Sequence, residues 1–225
     1  MLDRPSPNFG PRPPGATIDM LVIHYTGMES REAALSRLRD ASAEVSAHYL
    51  IDEDGTISRL VAEEMRAWHA GVSRWRGAAD INSRSIGIEL VNPGHEFGYR
   101  PFPEAQMAAL EALSAAILDR HAIPARHVLG HSDVAPGRKT DPGELFDWPR
   151  LARAGIGLWP HDTGDLEPGD GDDMLVRFGY DLGATAETRT AAIAAFQRHF
   201  RPSRIDGEID RETRLRLDAL CRLCA

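Results

Sequence analysis

Of 225 residues only two are cysteine and only one is lysine. Two cysteines cannot build a disulfide framework. Cys221 and Cys224 form a Cys-x-x-Cys near the end of the sequence, without partner ligands for a metal and without the strand-then-helix setting of a redox motif. No apolar run approaches the ~20 residues that span a bilayer, so no membrane span is expected. The first fifteen residues are proline-rich and lack the basic-then-apolar pattern of an export signal. The simplest expectation is therefore a cytosolic protein. Positive charge is also in short supply. A net charge of -8 argues against general nucleic-acid binding.

What is present fits a globular chain: 42% of residues are hydrophobic and 27% charged. The length suits one domain plus a small module. Residues 1–174 hold 17 basic and 27 acidic side chains, whereas residues 175–225 hold 9 and 7. Such a change of sign suggests two units with different tasks. The single lysine, Lys139, stands among 25 arginines. Lysine and arginine exchange freely on most surfaces, so a lone lysine directs attention to its site.

Residues 1–15 read as an irregular, proline-stiffened lead-in. Ile18–His24 reads as a strand that is apolar on both sides, hence central and covered twice. Ser30–Asp40 predicts a short helix. Two strands, 47–51 and 56–60, flank an Asp-Gly turn as a hairpin. Ser85–Val91 and Val128–Leu129 predict further strands. Between them, residues 104–121 carry Met107, Leu110, Leu113 and Ile117 at helical spacing. Interleaved strands and helices predict an α/β fold, a mixed sheet with helices packed on it, over residues 16–158. Residues 159–173 have little to bury and read as a linker with a solvated acidic turn. Three helical patterns follow, at 174–178, 185–200 and 210–223, with Thr185 and Asp210 as caps. They predict a small all-α three-helix domain over 174–225, marginal alone and expected to lean on compact packing or on the first domain.

The chemistry gathers at strand ends and in one loop. His131 and Asp141 lie ten residues apart in a segment shaped by two prolines and three glycines. With His24 at a strand end they supply three protein ligands, the number a catalytic zinc takes when it keeps a position for water or substrate. Hydrogen-bonded loop residues are the plainer alternative. Glu89 sits in Ser85-Ile86-Gly87-Ile88-Glu89-Leu90. Alternation turns Ile86, Ile88 and Leu90 to one face and Gly87 with Glu89 to the other. A carboxylate in an apolar strand is costly unless paired or working, and Gly87 beside it leaves room for a substrate. A structural ion pair with an arginine is the alternative.

Four segments taken in order resemble the zinc-dependent N-acetylmuramoyl-L-alanine amidases of the peptidoglycan-recognition type. They are His24-Tyr25-Thr26, Ala67-Trp68-His69-Ala70-Gly71, Ser85 to Leu90, and Gly130-His131-Ser132-Asp133 through Lys139-Thr140-Asp141-Pro142-Gly143. The third ligand position holds Asp141, as in the branch that acts on muropeptides during wall turnover and recycling. The resemblance implies one zinc ion held by His24, His131 and Asp141, with Glu89 and Lys139 as the catalytic pair. It also implies a groove lined by His69 and Trp68, and a peptidoglycan fragment or muropeptide as substrate. Arg59, Arg74, Arg76 and Arg84 are the candidates for holding the stem-peptide carboxylates. Gly179-Tyr180, Ala195-Phe196-Gln197, Asp206-Gly207 and Thr213 resemble the three-helix peptidoglycan-binding module, which points to the cell envelope as the alternative location. A monomer is expected. A muropeptide-binding protein without catalysis and a zinc peptidase of the stem are the competing readings.

Overall fold

The computed structural model describes residues 1–160 and 169–224. In chain order its elements are β1 (Leu2–Asp3), β2 (Phe9–Pro11), β3 (Met20–Tyr25), α1 (Arg31–Arg39), β4 (Tyr49–Ile51), β5 (Ile57–Arg59), β6 (Met65–Ala67), β7 (Arg74–Trp75), β8 (Ala78–Ala79), β9 (Ser85–Leu90), α2 (Gly94–Phe97), α3 (Glu104–Arg120), β10 (Val128–Gly130), α4 (His131–Val134), α5 (Trp148–Arg153), α6 (Gly171–Phe178), α7 (Ala186–Phe200) and α8 (Arg211–Leu223). The main sheet has the order β1-β5-β4-β9-β3-β10. Its strands β4, β9, β3 and β10 run parallel, and β5 is antiparallel to β4. The sheet is therefore mixed, with helices on it, as the pattern of strands and helices predicts.

β3 is buried on both faces. Leu21 and Ile23 join Ile86, Ile88 and Leu90 of β9 under α3, which contributes Met107, Leu110, Leu113 and Ile117. On the other face Met20 and Val22 join Leu129, Trp75 and Val134 in one core with Leu175, Phe178, Ile193, Phe196, Phe200, Leu217 and Leu220 of the last three helices. The hairpin turn closes as predicted, with the Gly55 N–H donating to Asp52 O and Gly55 at φ +84°. Ser30, Thr185 and Asp210 cap α1, α7 and α8, each accepting a backbone N–H from three residues on.

Two expectations need correction. The lead-in is not irregular throughout, because β1 pairs with β5 and β2 with β6. Arg12 then reaches inward and donates to the carbonyls of Glu63, Asn82 and Ser85. Nor does the third-last helix wait until residue 174. The Asp170 side chain accepts from the N–H groups of Asp172 and Asp173, and α6 begins at Gly171. Acidic side chains suit a helix N-terminus, where the unsatisfied N–H groups carry partial positive charge. The remainder of the linker reading, 161–168, lies outside the described residues.

Candidate active site

The parallel strands deliver the site residues to one edge. His24 is the fifth residue of β3, opposite Glu89 in the register with β9. His131 follows directly on β10, the other neighbour of β3. The loop beyond α4 returns Asp141, whose main-chain oxygen accepts from the Ser132 N–H. This is the carboxyl end of the parallel strands, where open α/β sheets place their ligand crevices.

Three buried side chains converge there. His24 Nδ1 lies 2.9 Å from His131 Nδ1 and 3.0 Å from Asp141 Oδ2, and His131 Nδ1 lies 3.1 Å from the same oxygen. These separations approach the ~3.3 Å edge of a tetrahedron with zinc–ligand bonds of about 2.0–2.1 Å. Imidazole and carboxylate are also the donor types such an ion takes, so the residues fit the group. Burial, with the nearby His131, lowers the His24 pKa to about 4 and keeps its ring neutral, as a ligand must be. Burial alone would raise the Asp141 carboxyl, but the two imidazoles outweigh it and hold the carboxylate ionised far below its ordinary range.

A cleft of about 390 Å³ opens over this triangle. Its walls include Glu89, Lys139, Trp68 and an edge of His69. Glu89 Oε2 is buried without a hydrogen-bond partner among the described residues. Burial, reinforced by the negative charge of Asp141, pushes the Glu89 carboxyl well above its ordinary pKa, while Lys139 pulls the other way. Such a carboxyl holds a proton more readily than an ordinary one, as a group that takes up and gives back a proton needs to do. The alternative of an arginine ion pair does not apply, since none engages Glu89 among the described residues.

The room beside Glu89 is taken. A Cβ at Gly87 would meet the His69 ring at 2.5 Å, so this glycine admits a protein side chain and not a substrate. The four arginines proposed for the stem are all elsewhere. Arg59 lies opposite Tyr49 in the register, on the face turned away from Glu89, and pairs with Asp3. Arg84 pairs with Asp19 and precedes β9, about 16 Å upstream of Glu89 at ~3.3 Å per residue. Arg74 faces Asp181, and Arg76 donates to the carbonyls of Arg177 and Phe178. The cations on the cleft are instead Arg37 of α1 and Arg138 beside Lys139. Arg37 lies on the exposed side of α1, and the sequence alone carries no sign that this side meets the cleft.

The features that resembled a binding module are joined within the C-terminal helices. Gln197 is buried; its amide donates to Asp206 Oδ1 and the Glu208 carbonyl and accepts from the N–H groups of Asp206 and Gly207. Tyr180 donates to Asp133, two residues past His131.

Fold and site together define a hydrolase with a place for one divalent ion at its catalytic floor. Residues 14–144 match the family described as N-acetylmuramoyl-L-alanine amidase, and the chain belongs to it. The N-acetylmuramoyl-L-alanine amidase AmiD of Escherichia coli (strain K12) is 39% identical over 234 residues, covering 90% of this chain and 82% of AmiD. AmpD of the same strain, a 1,6-anhydro-N-acetylmuramyl-L-alanine amidase, is 37% identical over 164 residues, covering 65% of this chain and 87% of AmpD. The solved complex of E. coli AmiD with anhydro-N-acetylmuramic acid-L-Ala-D-γ-Glu-L-Lys has a TM-score of 0.83 at 38% identity and covers 94% of this chain and 92% of its own. AmpDh3 from Pseudomonas aeruginosa in complex with anhydromuramic pentapeptide has a TM-score of 0.84 at 37% identity, covering 94% of both chains.

Proposed function

We propose that this protein hydrolyses the amide joining the lactyl group of N-acetylmuramic or anhydromuramic acid to L-alanine, with one zinc ion held by His24, His131 and Asp141. The observation that carries this reading is the buried triangle of three ligand atoms, 2.9–3.1 Å apart, beneath a cleft that also holds Glu89. Zinc in such a site polarises a carbonyl and lowers the pKa of bound water to ~7. Glu89 accepts the proton of the attacking water and passes it to the departing nitrogen, which would otherwise have to leave as an anion. Its raised pKa suits the second half of that task. Lys139, on the cleft wall, donates to the oxygen that becomes negative as water adds, a contribution of roughly 10²–10³ in rate for a well-placed donor. Arg37 and Arg138 present positive charge to the stem-peptide carboxylates.

AmiD and AmpDh3, solved with anhydromuramyl peptides, support a soluble muropeptide as the substrate. No helix among the described residues is long and apolar enough to cross a membrane. Action on cytosolic muropeptides belongs to the same proposal, and cell fractionation decides it against the envelope. The decisive assay offers the zinc-loaded protein an anhydromuramyl tripeptide and, separately, intact sacculi. Mass spectrometry should find anhydromuramic acid and a peptide beginning with L-alanine. Cleavage inside the stem would replace the reading with a peptidase, and binding without products would replace it with a recognition protein. Full activity after exhaustive chelation would remove zinc from it.

A further inference from the structure

We infer that the segment Trp68–Gly71 is the support of the metal site: His69 and the Ala70 carbonyl each fix which ring nitrogen a histidine ligand turns toward the ion. The inference rests on the zinc reading above and concerns residues whose role that reading leaves open.

A main-chain carbonyl can only accept a hydrogen bond. Ser85 Oγ lies 2.7 Å from Ile81 O, so the single serine proton goes there. Ser85 Oγ also lies 3.0 Å from His69 Nε2 and has only lone pairs left for it, so His69 Nε2 carries a proton and donates. A neutral imidazole has one N–H. His69 is buried and pairs with no carboxylate among the described residues, so a charge on its ring would go uncompensated and the ring is neutral. Its Nδ1 is therefore an acceptor, 3.0 Å from His24 Nε2. His24 Nε2 must supply the proton of that contact. The lone pair of His24 is then on Nδ1, the atom that faces His131 and Asp141. A carbonyl three hydrogen bonds away thus sets the tautomer of a metal ligand.

The next residue does the same for the second histidine in one step. His131 Nε2 lies 3.1 Å from Ala70 O, which leaves its Nδ1 bare toward the ion. The carbonyl's other lone pair takes Arg138 Nη2 at 2.6 Å. Asn82 steadies both residues, since its Oδ1 accepts the N–H groups of His69 at 3.0 Å and Ala70 at 2.8 Å. Gly87 completes the device, because any Cβ there would occupy the space of the His69 ring. Both ring nitrogens of His69 are thus committed inside the protein, so it is a positioning residue and offers no ring nitrogen to substrate.

The test measures zinc affinity of the full chain by competition with a chromophoric chelator. His69→Leu keeps bulk but removes the acceptor and should bind zinc about 10–100-fold more weakly. Gly87→Ala displaces the ring without deleting it and should weaken binding in the same direction. His69→Asn returns an acceptor near the position of Nδ1 and should recover most of the loss. Imidazole ¹⁵N spectra of the unmodified zinc-loaded protein should show His69 neutral with its proton on Nε2, a reading that needs no variant to fold. Zinc affinity in His69→Leu equal to that of the parent, no advantage of Asn over Leu, or a proton on His69 Nδ1 would each overturn the inference. If the parent itself bound no zinc, the functional reading would fall. The tautomer of His69 in the metal-free chain would then still decide the relay.

Discussion

A buried carboxyl oxygen without a partner among the described residues, as at Glu89, costs stability, and the proposed catalytic role gives that cost a purpose. Glu89→Gln keeps the shape and removes the proton exchange. It should retain zinc while kcat falls by about 10²–10⁴, as metal analysis and product release would show together. His24→Ala should lose both metal and turnover. Lys139→Arg should recover little, since a planar fork cannot take the place of a compact ammonium. The candidates for these proposed roles stand out in the sequence because each sits in a local pattern: a strand-end histidine, an alternating strand, a glycine- and proline-shaped loop. The arginines are not legible. Which wall an arginine meets depends on sheet register and on distant acids such as Asp3 for Arg59 and Asp19 for Arg84. A further residue governs acid stability. His48 is buried, its Nδ1 accepts the Gly87 N–H, and burial lowers its pKa to about 3. The unfolded chain takes up that proton near pH 6.5, so stability present above that pH is lost as pH falls toward 3. Urea midpoints measured from pH 7 to 4 should decline for the parent and decline less for His48→Asn.

At the scale of elements, α4 and α7 meet through one buried carboxylate. Asp133 accepts from the Gly130 N–H at 2.7 Å, from the Tyr180 hydroxyl at 2.6 Å and from His199 Nδ1 at 2.6 Å. His199 in turn stacks on Trp148 of α5. Asp133→Ala would leave three buried donors without an acceptor, which should cost about 3–5 kcal/mol, read by chemical denaturation. An Asp133→Asn variant, able to accept but not as an anion, should lose less. The sequence shows α1, α3, α7 and α8 to within a residue or two, because capping and helical spacing are written in neighbouring residues; α6 begins three residues before the pattern at 174, and the short α2, α4 and α5 have no pattern of their own. It does not show β1 or β2. Their partners, Ser58 for Leu2 and Ala67 for Phe9, lie more than fifty residues along the chain, and two- or three-residue strands carry no periodicity of their own.

For the molecule as a whole, the change of charge sign near residue 174 suggested two units with different tasks, and packing joins them. Met20, Val22, Leu129, Val134 and Trp75 share one core with the last three helices, and Trp75 lies edge-on to both Phe178 and Tyr180. The sequence leaves open whether the last helices lean on their own packing or on the first domain, because an apolar sheet face reads the same whichever segment covers it. A chain ending at residue 160 would leave those five side chains facing water. At ~1.5–3 kcal/mol each the loss is comparable with the whole ~5–15 kcal/mol by which a domain is stable. Such a chain should be insoluble, or should melt more than about 10 °C below the parent, given ~2–4 °C per kcal/mol at this size. Calorimetry of the full chain should record a single transition, and the truncated form should hold zinc poorly, because the His131 loop loses the Tyr180 and His199 contacts to Asp133. Two resolved transitions, together with a truncated chain as stable and as active as the parent, would mean that the helices fold as an independent module and that the shared core contributes nothing to the catalytic unit.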